Sequence, residues 1–327
     1  MDTNDLTASA RPELDLSIVV PLFNEEESLP ELMAWIDRVL AERDYEVVFV
    51  DDGSTDGSWE VVQQLKSTYP NRVVGISFAR NQGKSAALHT GFRVVRGTVV
   101  ITMDADLQDS PDEVLELERK VLEEGFDLVS GWKKKRYDPL SKTLPTKVYN
   151  WATRKVSGIH LHDFNCGLKA YRREVVRAVE VNGEMHRYIP VLAKQAGFSK
   201  IGEQVVQHRA RKYGTTKFGL ERFVNGFLDL LTIAFIGRFG HKPMHLFGVL
   251  GILMFLVGFG LFGAIGGYKL WAISQEIEAK NIADISAFYV ALVFMVMGVQ
   301  LFLAGFLGEL VTRNAPARNH YLLKDRI

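Results

Sequence analysis

Residues 98–108 read TVVITMDADLQ, a β-branched run from Thr98 to Thr102 that gives way to Asp104-Ala105-Asp106. The run has the length and branching of a buried strand, and its polar stop brings two carboxylates together at the carboxyl end. The pattern repeats upstream. Leu16–Pro21 (LSIVVP) predicts a first strand, Glu27–Ala41 a helix with Leu29, Leu32, Met33, Ile36, Val39 and Leu40 on one face, and Tyr45–Val50 (YEVVFV) a second strand. Trp59–Tyr69 then predicts a helix, Val73–Phe78 a strand and Lys84–Val95 the helix leading into 98–102. Downstream, Pro111 sits in the first turn of a helix running to about Glu124, and Asp127–Gly131 predicts a further strand. Strands alternating with amphipathic helices define an α/β fold around a mostly parallel sheet. Beyond Lys133 the chain turns polar and irregular until Tyr149, which predicts a loop.

In an open sheet of this kind, ligands gather beyond the carboxyl ends of the strands. Three polar clusters fall there: Pro21-Leu22-Phe23-Asn24-Glu25, Asp51-Asp52-Gly53-Ser54 and Asp104-Ala105-Asp106-Leu107-Gln108. Each alone has an ordinary reading as a cap or turn, because Asp and Asn bond the local backbone. Three in register along one sheet edge point to a site. Paired carboxylates are hard oxygen ligands suited to Mg²⁺ or Mn²⁺, and such an ion on a nucleotide diphosphate would neutralise charge as the diphosphate departs. No Gly-rich loop ends in Gly-Lys-Ser or Gly-Lys-Thr, and no Gly-x-Gly-x-x-Gly follows the first strand. Both facts argue against a P-loop nucleotidase and a Rossmann dehydrogenase.

Leu246–Tyr268 and Ile285–Gly308 contain no Asp, Glu, Lys or Arg. Each exceeds the roughly 20 apolar residues that a helix needs to cross a bilayer. Before the first stretch, Arg211, Lys212, Lys217, Arg222, Arg238 and Lys242 outweigh Glu221 and Asp229; after the second, Arg313, Arg318, Lys324 and Arg326 outweigh Glu309 and Asp325. The connector carries Lys269 and Lys280 against Glu276, Glu278 and Asp284. Positive flanks at both ends predict a two-helix hairpin in the cell (inner) membrane with the large domain in the cytoplasm. The polar first fifteen residues predict no signal peptide. A single cysteine, Cys166, excludes a disulfide framework and a multi-thiolate zinc site, and the zero net charge excludes a basic nucleic-acid footprint. Phe218–Phe239 is apolar on one side, as a helix along the membrane surface or a packed helix of the soluble domain. His160 and His162 lack a third ligand at zinc spacing and read as loop residues. Gln300 and the glycines of the first span permit close helix contacts, within the hairpin or in a homo-oligomer.

Pro21–Glu25, Asp51–Ser54, Asn81-Gln82-Gly83-Lys84 and Asp104–Gln108, in that order, resemble the family 2 glycosyltransferases of the GT-A fold. Two spans after such a domain narrow the resemblance to polyprenyl-phosphate glycosyltransferases, which include bacterial undecaprenyl-phosphate glucosyltransferases and dolichol-phosphate mannose synthases. The resemblance implies that Pro21, Asn24, Glu25 and Asp52 line a nucleoside pocket, with Asp51 a contact to the base. It implies that Lys84 reaches the nucleotide, where its plain reading is a solvated helix start. Asp104 and Asp106 would hold a diphosphate-bound Mg²⁺ or Mn²⁺, supported by Gln108.

Asp163-Phe164-Asn165-Cys166-Gly167-Leu168-Lys169-Ala170-Tyr171 also resembles a family segment, in which an acidic residue serves as general base for a hydroxyl acceptor. A phosphate acceptor is already largely anionic near neutral pH, so Asp163 either removes a proton or orients the acceptor. Arg211-Lys212-Tyr213-Gly214-Thr215-Thr216-Lys217 resembles the family's Arg-x-x-Gly-x-Ser-Lys, with Thr216 for Ser. A Gly turn flanked by Arg and Lys suits a phosphate clamp. In the basic run Lys133-Lys134-Lys135-Arg136, Arg136 is the preferred acceptor-phosphate ligand, and the lysines serve either the acceptor or anionic lipid heads.

The expected organisation is a tail (1–15), a GT-A catalytic domain (16–215), juxtamembrane amphipathic helices (216–243), a transmembrane hairpin (244–311) and a basic tail (312–327). The expected reaction is inverting, metal-dependent transfer of a hexose, glucose from UDP-glucose, to a polyprenyl phosphate. GDP-mannose is the alternative donor. A processive synthase would carry a Gln-x-x-Arg-Trp motif, which is absent from the sequence. A catalytically inactive nucleotide-binding scaffold is the rival from another class, and the intact carboxylate clusters argue against it.

Overall fold

The computed structural model describes residues 14–134, 150–209, 212, 232, 235, 239, 242–278 and 280–313. The chain divides into two compact units, Met1–Ile233 and Ala234–Ile327.

The first unit is built on a seven-stranded sheet in the order β3-β2-β1-β4-β6-β5-β7. Its strands are β1 (Leu14–Leu22), β2 (Tyr45–Asp51), β3 (Val73–Ser77), β4 (Gly97–Thr102), β5 (Leu128–Trp132), β6 (Lys169–Arg172) and β7 (Ile201–Val205). β1 pairs in parallel with β2 and β4, β2 with β3, and β5 with β7, while β6 runs antiparallel between β4 and β5. The central strands read as continuous apolar runs because both faces are covered. Leu16, Ile18, Val20, Val47 and Phe49 pack with Leu32, Met33 and Ile36 of α1 (Leu29–Val39). The alternate residues Val19, Val48 and Val50 pack with Ala87, Leu88 and Phe92 of α3 (Lys84–Val94) on the opposite face. The helix α2 (Ser58–Thr68) joins β2 to β3. Pro21 tolerates its central strand because pairing with β4 ends at Val19, so its missing N–H interrupts no ladder on that side.

The helix predicted from Pro111 begins as a 3₁₀ turn, Pro111–Glu113, and continues as α4 (Val114–Leu122). Three elements had no prediction from periodicity: β6, α5 (Arg173–Ala178) and α6 (Ile189–Gln195), with β7 a fourth beyond them. β6 is only Lys-Ala-Tyr-Arg, and it is a strand because β4 and β5 pair with it from both sides. That dependence on distant partners leaves no local signature.

The second unit contains α7 (Pro243–Ser274) and α8 (Ser286–Arg313). Both are long and apolar enough to cross a membrane, with mean hydropathy 2.4 over each best window. At 1.5 Å per residue they span about 48 and about 42 Å. Glycine sets their approach. A Cβ on Gly251 would stand 2.6 Å from the Gly298 carbonyl, and one on Gly258 would stand 2.6 Å from the Ala291 carbonyl. Gly260, Gly263, Gly266 and Gly267 instead face open space. The predicted helix over 218–239 lies almost wholly outside the described residues, as do the tails 1–13 and 314–327.

Candidate active site

The loops beyond β1 and β2 are sewn together by the residues that sequence patterning singled out. Asn24 adopts a left-handed backbone (φ 55°), and its N–H donates to Ser54 Oγ at 2.9 Å. Its side-chain oxygen accepts the Thr55 N–H at 2.8 Å, and the Glu25 N–H donates to Ser58 Oγ at 2.8 Å. Asp51 is buried at the end of β2 and accepts from the Ser54 N–H (3.0 Å) and the Ser77 hydroxyl (2.9 Å). Asp52 accepts from the N–H groups of Gln82 (2.7 Å) and Gly83 (2.9 Å), and so fixes the turn that begins α3. Burial pushes the Asp52 carboxyl up, and those two donors draw it back. Gly53, with φ 70°, has no room for a side chain: a Cβ would lie 2.6 Å from the Arg80 carbonyl carbon. The Asp51 and Asp52 carboxylates thus tie together the loops that follow β2 and β3, and Pro21 lies near the end of β1 beside β2.

Beyond β4 lies the acidic centre. Asp104 forms an ion pair with Lys84, the first residue of α3, and keeps about a third of its side chain exposed. Burial pushes the Asp104 carboxyl up, but the Lys84 ammonium, with help from Lys133, holds it down to about 2. Asp106 is buried and accepts the Gln108 N–H at 3.2 Å across a turn in which Leu107 has φ 59°. The backbone of Gln108 also accepts the Arg209 N–H at 2.9 Å. Asp104 and Asp106 are the pair that could hold a hard divalent ion. Among the described residues no cluster of three or more His, Cys, Asp or Glu forms a cage. Two carboxylates, one of them held in its ionised form near neutral pH by Lys84, fit an ion that takes its remaining ligands from substrate phosphates and water.

Behind this centre, Asp109 is fully buried and Lys133 Nζ lies 2.7 Å from its Oδ1. Burial pushes the Asp109 carboxyl up while Lys133 opposes it. Lys133 is therefore a structural counter-ion, not a lipid-facing lysine. The strand-like bridge between Asp109 and His208, and the Arg209 guanidinium 4.2 Å from the Trp35 ring centre, pin the chain that leads into 211–217 against the Gln108 turn. Lys212 adds an ion pair with Glu31 at 2.7 Å. Arg136, Arg211, Thr216 and Lys217 lie outside the described residues.

Asp163 is buried, and its Oδ1 accepts the Asn165 N–H at 3.0 Å. Gly167 presses against Asp104, where a Cβ would stand 2.6 Å from Oδ2. Burial pushes the Cys166 thiol up to about 12, which makes it an unreactive wall residue. His162 pairs with Glu203 and stacks on Trp132 at 4.1 Å between ring centres, away from any zinc-like arrangement.

Sequence reasoning missed the residues that close the site from the opposite side. A 3₁₀ turn, Met185–Tyr188, brings His186 and Arg187 into a cavity shared with Lys84, Asp104, Asn165 and Lys169. Ser85 Oγ accepts the His186 N–H at 3.0 Å and lies 3.1 Å from its Nδ1. Burial first, then the Lys84 and Arg187 cations, push the imidazole well below its usual range, so it is neutral. The only local cue was a His-Arg pair before Tyr-Ile-Pro, in a stretch without periodicity.

Residues 17–179 match the family described as Glycosyl transferase family 2. The dodecaprenyl-phosphate galacturonate synthase of Rhizobium johnstonii is 34% identical over 319 residues, covering 95% of this chain and 90% of that protein. The undecaprenyl-phosphate 4-deoxy-4-formamido-L-arabinose transferase of Aeromonas hydrophila is 33% identical, covering 94% and 92%. Glucosyl-3-phosphoglycerate synthase from Mycobacterium tuberculosis, solved with Mn²⁺, UDP and glucosyl-3-phosphoglycerate, shares the fold at TM-score 0.52 and 20% identity, covering 68% of this chain and 80% of that one. The chain belongs to glycosyl transferase family 2, with a GT-A domain followed by two candidate membrane spans. It is a glycosyltransferase, and its near-full-length relatives carry the names of polyprenyl-phosphate sugar transferases.

Proposed function

We propose that this protein transfers a sugar, with inversion, from a nucleoside diphosphate sugar to a polyprenyl phosphate at the cytoplasmic face of a cell membrane. The observation that carries this is the ionised Asp104, paired with Lys84 and adjoining Asp106, at the carboxyl ends of the parallel strands. It stands in a chain that aligns along 95% of its length with a polyprenyl-phosphate glycosyltransferase. Residues 16–215 are assigned the catalytic role, 216–243 the membrane surface, 244–311 the hairpin and 312–327 a cytoplasmic tail.

Asp52 fixes the Gln82-Gly83 turn and so the position from which Lys84 projects. The pocket framed by Pro21, Asn24, Glu25, Asp51 and Asp52 takes the nucleoside. Asp104 and Asp106, supported by Gln108, would hold a divalent ion, Mg²⁺ or Mn²⁺, which supplies charge neutralisation at the departing diphosphate. The Mn²⁺ complex of the fold relative supports that assignment. Lys84, released from Asp104, is placed to take up a phosphate oxygen as negative charge develops. Arg136, Arg211, Thr216 and Lys217 are assigned to the acceptor phosphate; Arg209, whose N–H donates to the Gln108 carbonyl, supports that reading for the chain just before Arg211. Asp163 orients the acceptor, whose phosphate oxygen attacks the anomeric carbon from the face opposite the diphosphate. In-line positioning of this kind lowers barriers by several kcal/mol.

UDP-glucose is the donor expected from sequence. The relatives named above carry galacturonate or 4-deoxy-4-formamido-L-arabinose, so the donor sugar is the open choice within the class. The test is release of nucleoside diphosphate by the full chain in detergent from a panel of UDP- and GDP-sugars, with Mg²⁺ or Mn²⁺, with and without a short polyprenyl phosphate. Lipid-dependent, EDTA-sensitive release from one donor is expected. Tight nucleotide binding without release from any donor would overturn the assignment in favour of an inactive scaffold.

A further inference from the structure

The cavity beside Asp104 holds more positive charge than the acidic centre needs. Lys84, Lys169 and Arg187 line it, while among the described residues Asp104 is its one carboxylate, and His186 is neutral. Lys84 is committed to Asp104, and Lys169 donates to the Cys166 carbonyl. Arg187 has no comparable partner. It is 8% exposed, its Nε–H makes no hydrogen bond, and its terminal nitrogen stands 3.6 Å from the half-exposed Glu184 carboxylate, beyond hydrogen-bond reach. Across the cavity the Asn165 side-chain oxygen is also buried without a partner. A buried guanidinium left with an unused N–H is costly unless something completes it, because each unmade bond to a charged group forfeits more than a neutral one. Helix packing does not explain the position either, since Arg187 sits in a 3₁₀ turn whose next residue, Tyr188, supplies the buried apolar anchor.

We propose that Arg187 is a donor-binding, specificity-determining residue whose guanidinium takes an anionic oxygen of the nucleotide sugar, with Asn165 bonding an adjacent hydroxyl. The proposal rests on the functional reading above and deepens it. Two groups of a donor supply such an oxygen: the diphosphate common to all nucleotide sugars, and the carboxylate of a uronic acid. Arg suits both because its planar fork pairs with carboxylate and phosphate alike. Placement beside Asp104 and Lys84 puts Arg187 next to the reacting end of the donor. Loss of the guanidinium therefore shows as weakened donor binding, not as a loss of acceptor affinity.

The experiment is calorimetric titration of the full chain in detergent with UDP, UDP-glucose and UDP-galacturonate in Mg²⁺ buffer, for wild type, Arg187→Met and Arg187→Lys, with thermal midpoints recorded alongside. Arg187→Met is expected to weaken binding on the order of 10- to 100-fold, with partial rescue by Arg187→Lys, which keeps the charge. Equal weakening for all three ligands assigns the diphosphate as the partner. Weakening confined to UDP-galacturonate assigns the sugar carboxylate. Unchanged affinity for every ligand, with or without a lowered thermal midpoint, would show Arg187 to be structural and overturn the proposal. Should Arg187→Met fail to fold, Arg187→Lys decides alone: wild-type affinities for all three ligands overturn the proposal, and weakening, whether for all three or for UDP-galacturonate alone, sustains it. A wild-type protein that binds none of the three defeats the functional reading itself, an outcome distinct from wild-type binding that the variants leave intact.

Discussion

Replacing Gly167 by alanine tests whether the position of the Asp104 carboxylate limits the reaction. A Cβ at this residue would stand 2.6 Å from Asp104 Oδ2 and 2.8 Å from Oδ1, where ordinary contact begins at 3.4 Å, so one side must give by about 0.8 Å. The Gly167 backbone cannot retreat freely, because its carbonyl accepts the Thr102 hydroxyl at 2.7 Å and the chain runs directly into β6. The carboxylate therefore moves, and Lys84 moves with it. Displacement approaching 1 Å at a reacting centre costs up to about 100-fold in rate. We expect kcat/KM for nucleotide release to fall about 10- to 100-fold, or about 1.4 to 2.7 kcal/mol of lost transition-state stabilisation. Because Gly167 is not in the left-handed region, the backbone adopts alanine without strain, and the thermal midpoint should stay within a few degrees of wild type. A Gly167→Ala enzyme with wild-type kcat and KM would refute the idea that Asp104 must sit where it does.

Removing Lys84 should change the pH profile as well as the rate. Asp104 is depressed in the folded protein, so its stabilising pair is intact above the unfolded carboxylate range near 3.9 and is lost as pH falls toward about 2. In Lys84→Met burial acts with far less opposition, and an acid limb in kcat/KM should move to higher pH; an unmoved limb would dissociate Lys84 from Asp104. Lys133→Met strands the buried Asp109 and should cost about 3 to 5 kcal/mol in denaturant unfolding near neutral pH. The folded Asp109 carboxyl is raised further in that variant, so the loss should shrink as pH falls, and adding Asp109→Asn should recover much of it. In the hairpin, Gly251→Ala meets backbone atoms of α8 within 2.7 Å and should lower the thermal midpoint in detergent, whereas Gly263→Ala meets nothing within 4 Å and should not. Equal midpoints for the two glycine variants would contradict the α7–α8 packing.

The parallel core was readable because its information is local. β1, β2 and β4 are buried on both faces and so are spelled as unbroken apolar runs, and Asp51-Asp52 and Asp104-Ala105-Asp106 stand where those runs stop. The limits fall where contacts are distant in sequence. Lys169, read from sequence only as part of the 163–171 segment, lies in β6, made a strand by neighbours 67 and 39 positions away at Thr102 and Ser130. His186 and Arg187 join Asp104 in the cavity across 82 and 83 positions of sequence, and the Ser85–His186 bond spans 101. Lys133, grouped by sequence with a basic run, is buried against Asp109, which no charge pattern on a single strand could reveal.

Backbone strain marks the same two strand ends. Among the described residues the non-glycine positions with positive φ are Asn24, Leu107 and Glu276, and the first two belong to the catalytic unit. Asn24 follows β1 and Leu107 follows β4, neighbouring strands of the sheet. For Asn the left-handed region is tolerable, and here its amide oxygen is held by the Thr55 N–H of the loop beyond β2. Leucine has no such compensation, and its cost is of order 1 to 3 kcal/mol. What holds Leu107 is over-determination: its side chain is buried in the core, Asp106 accepts the Gln108 N–H on one side, and the Gln108 carbonyl accepts Arg209 on the other. A glycine at 107 would relieve the strain but surrender the buried anchor and free the turn that aims Asp106. Leu107→Gly should therefore lower kcat even when assayed well below its thermal midpoint, and a variant that is destabilised yet fully active there would show that the turn stores strain without serving the site.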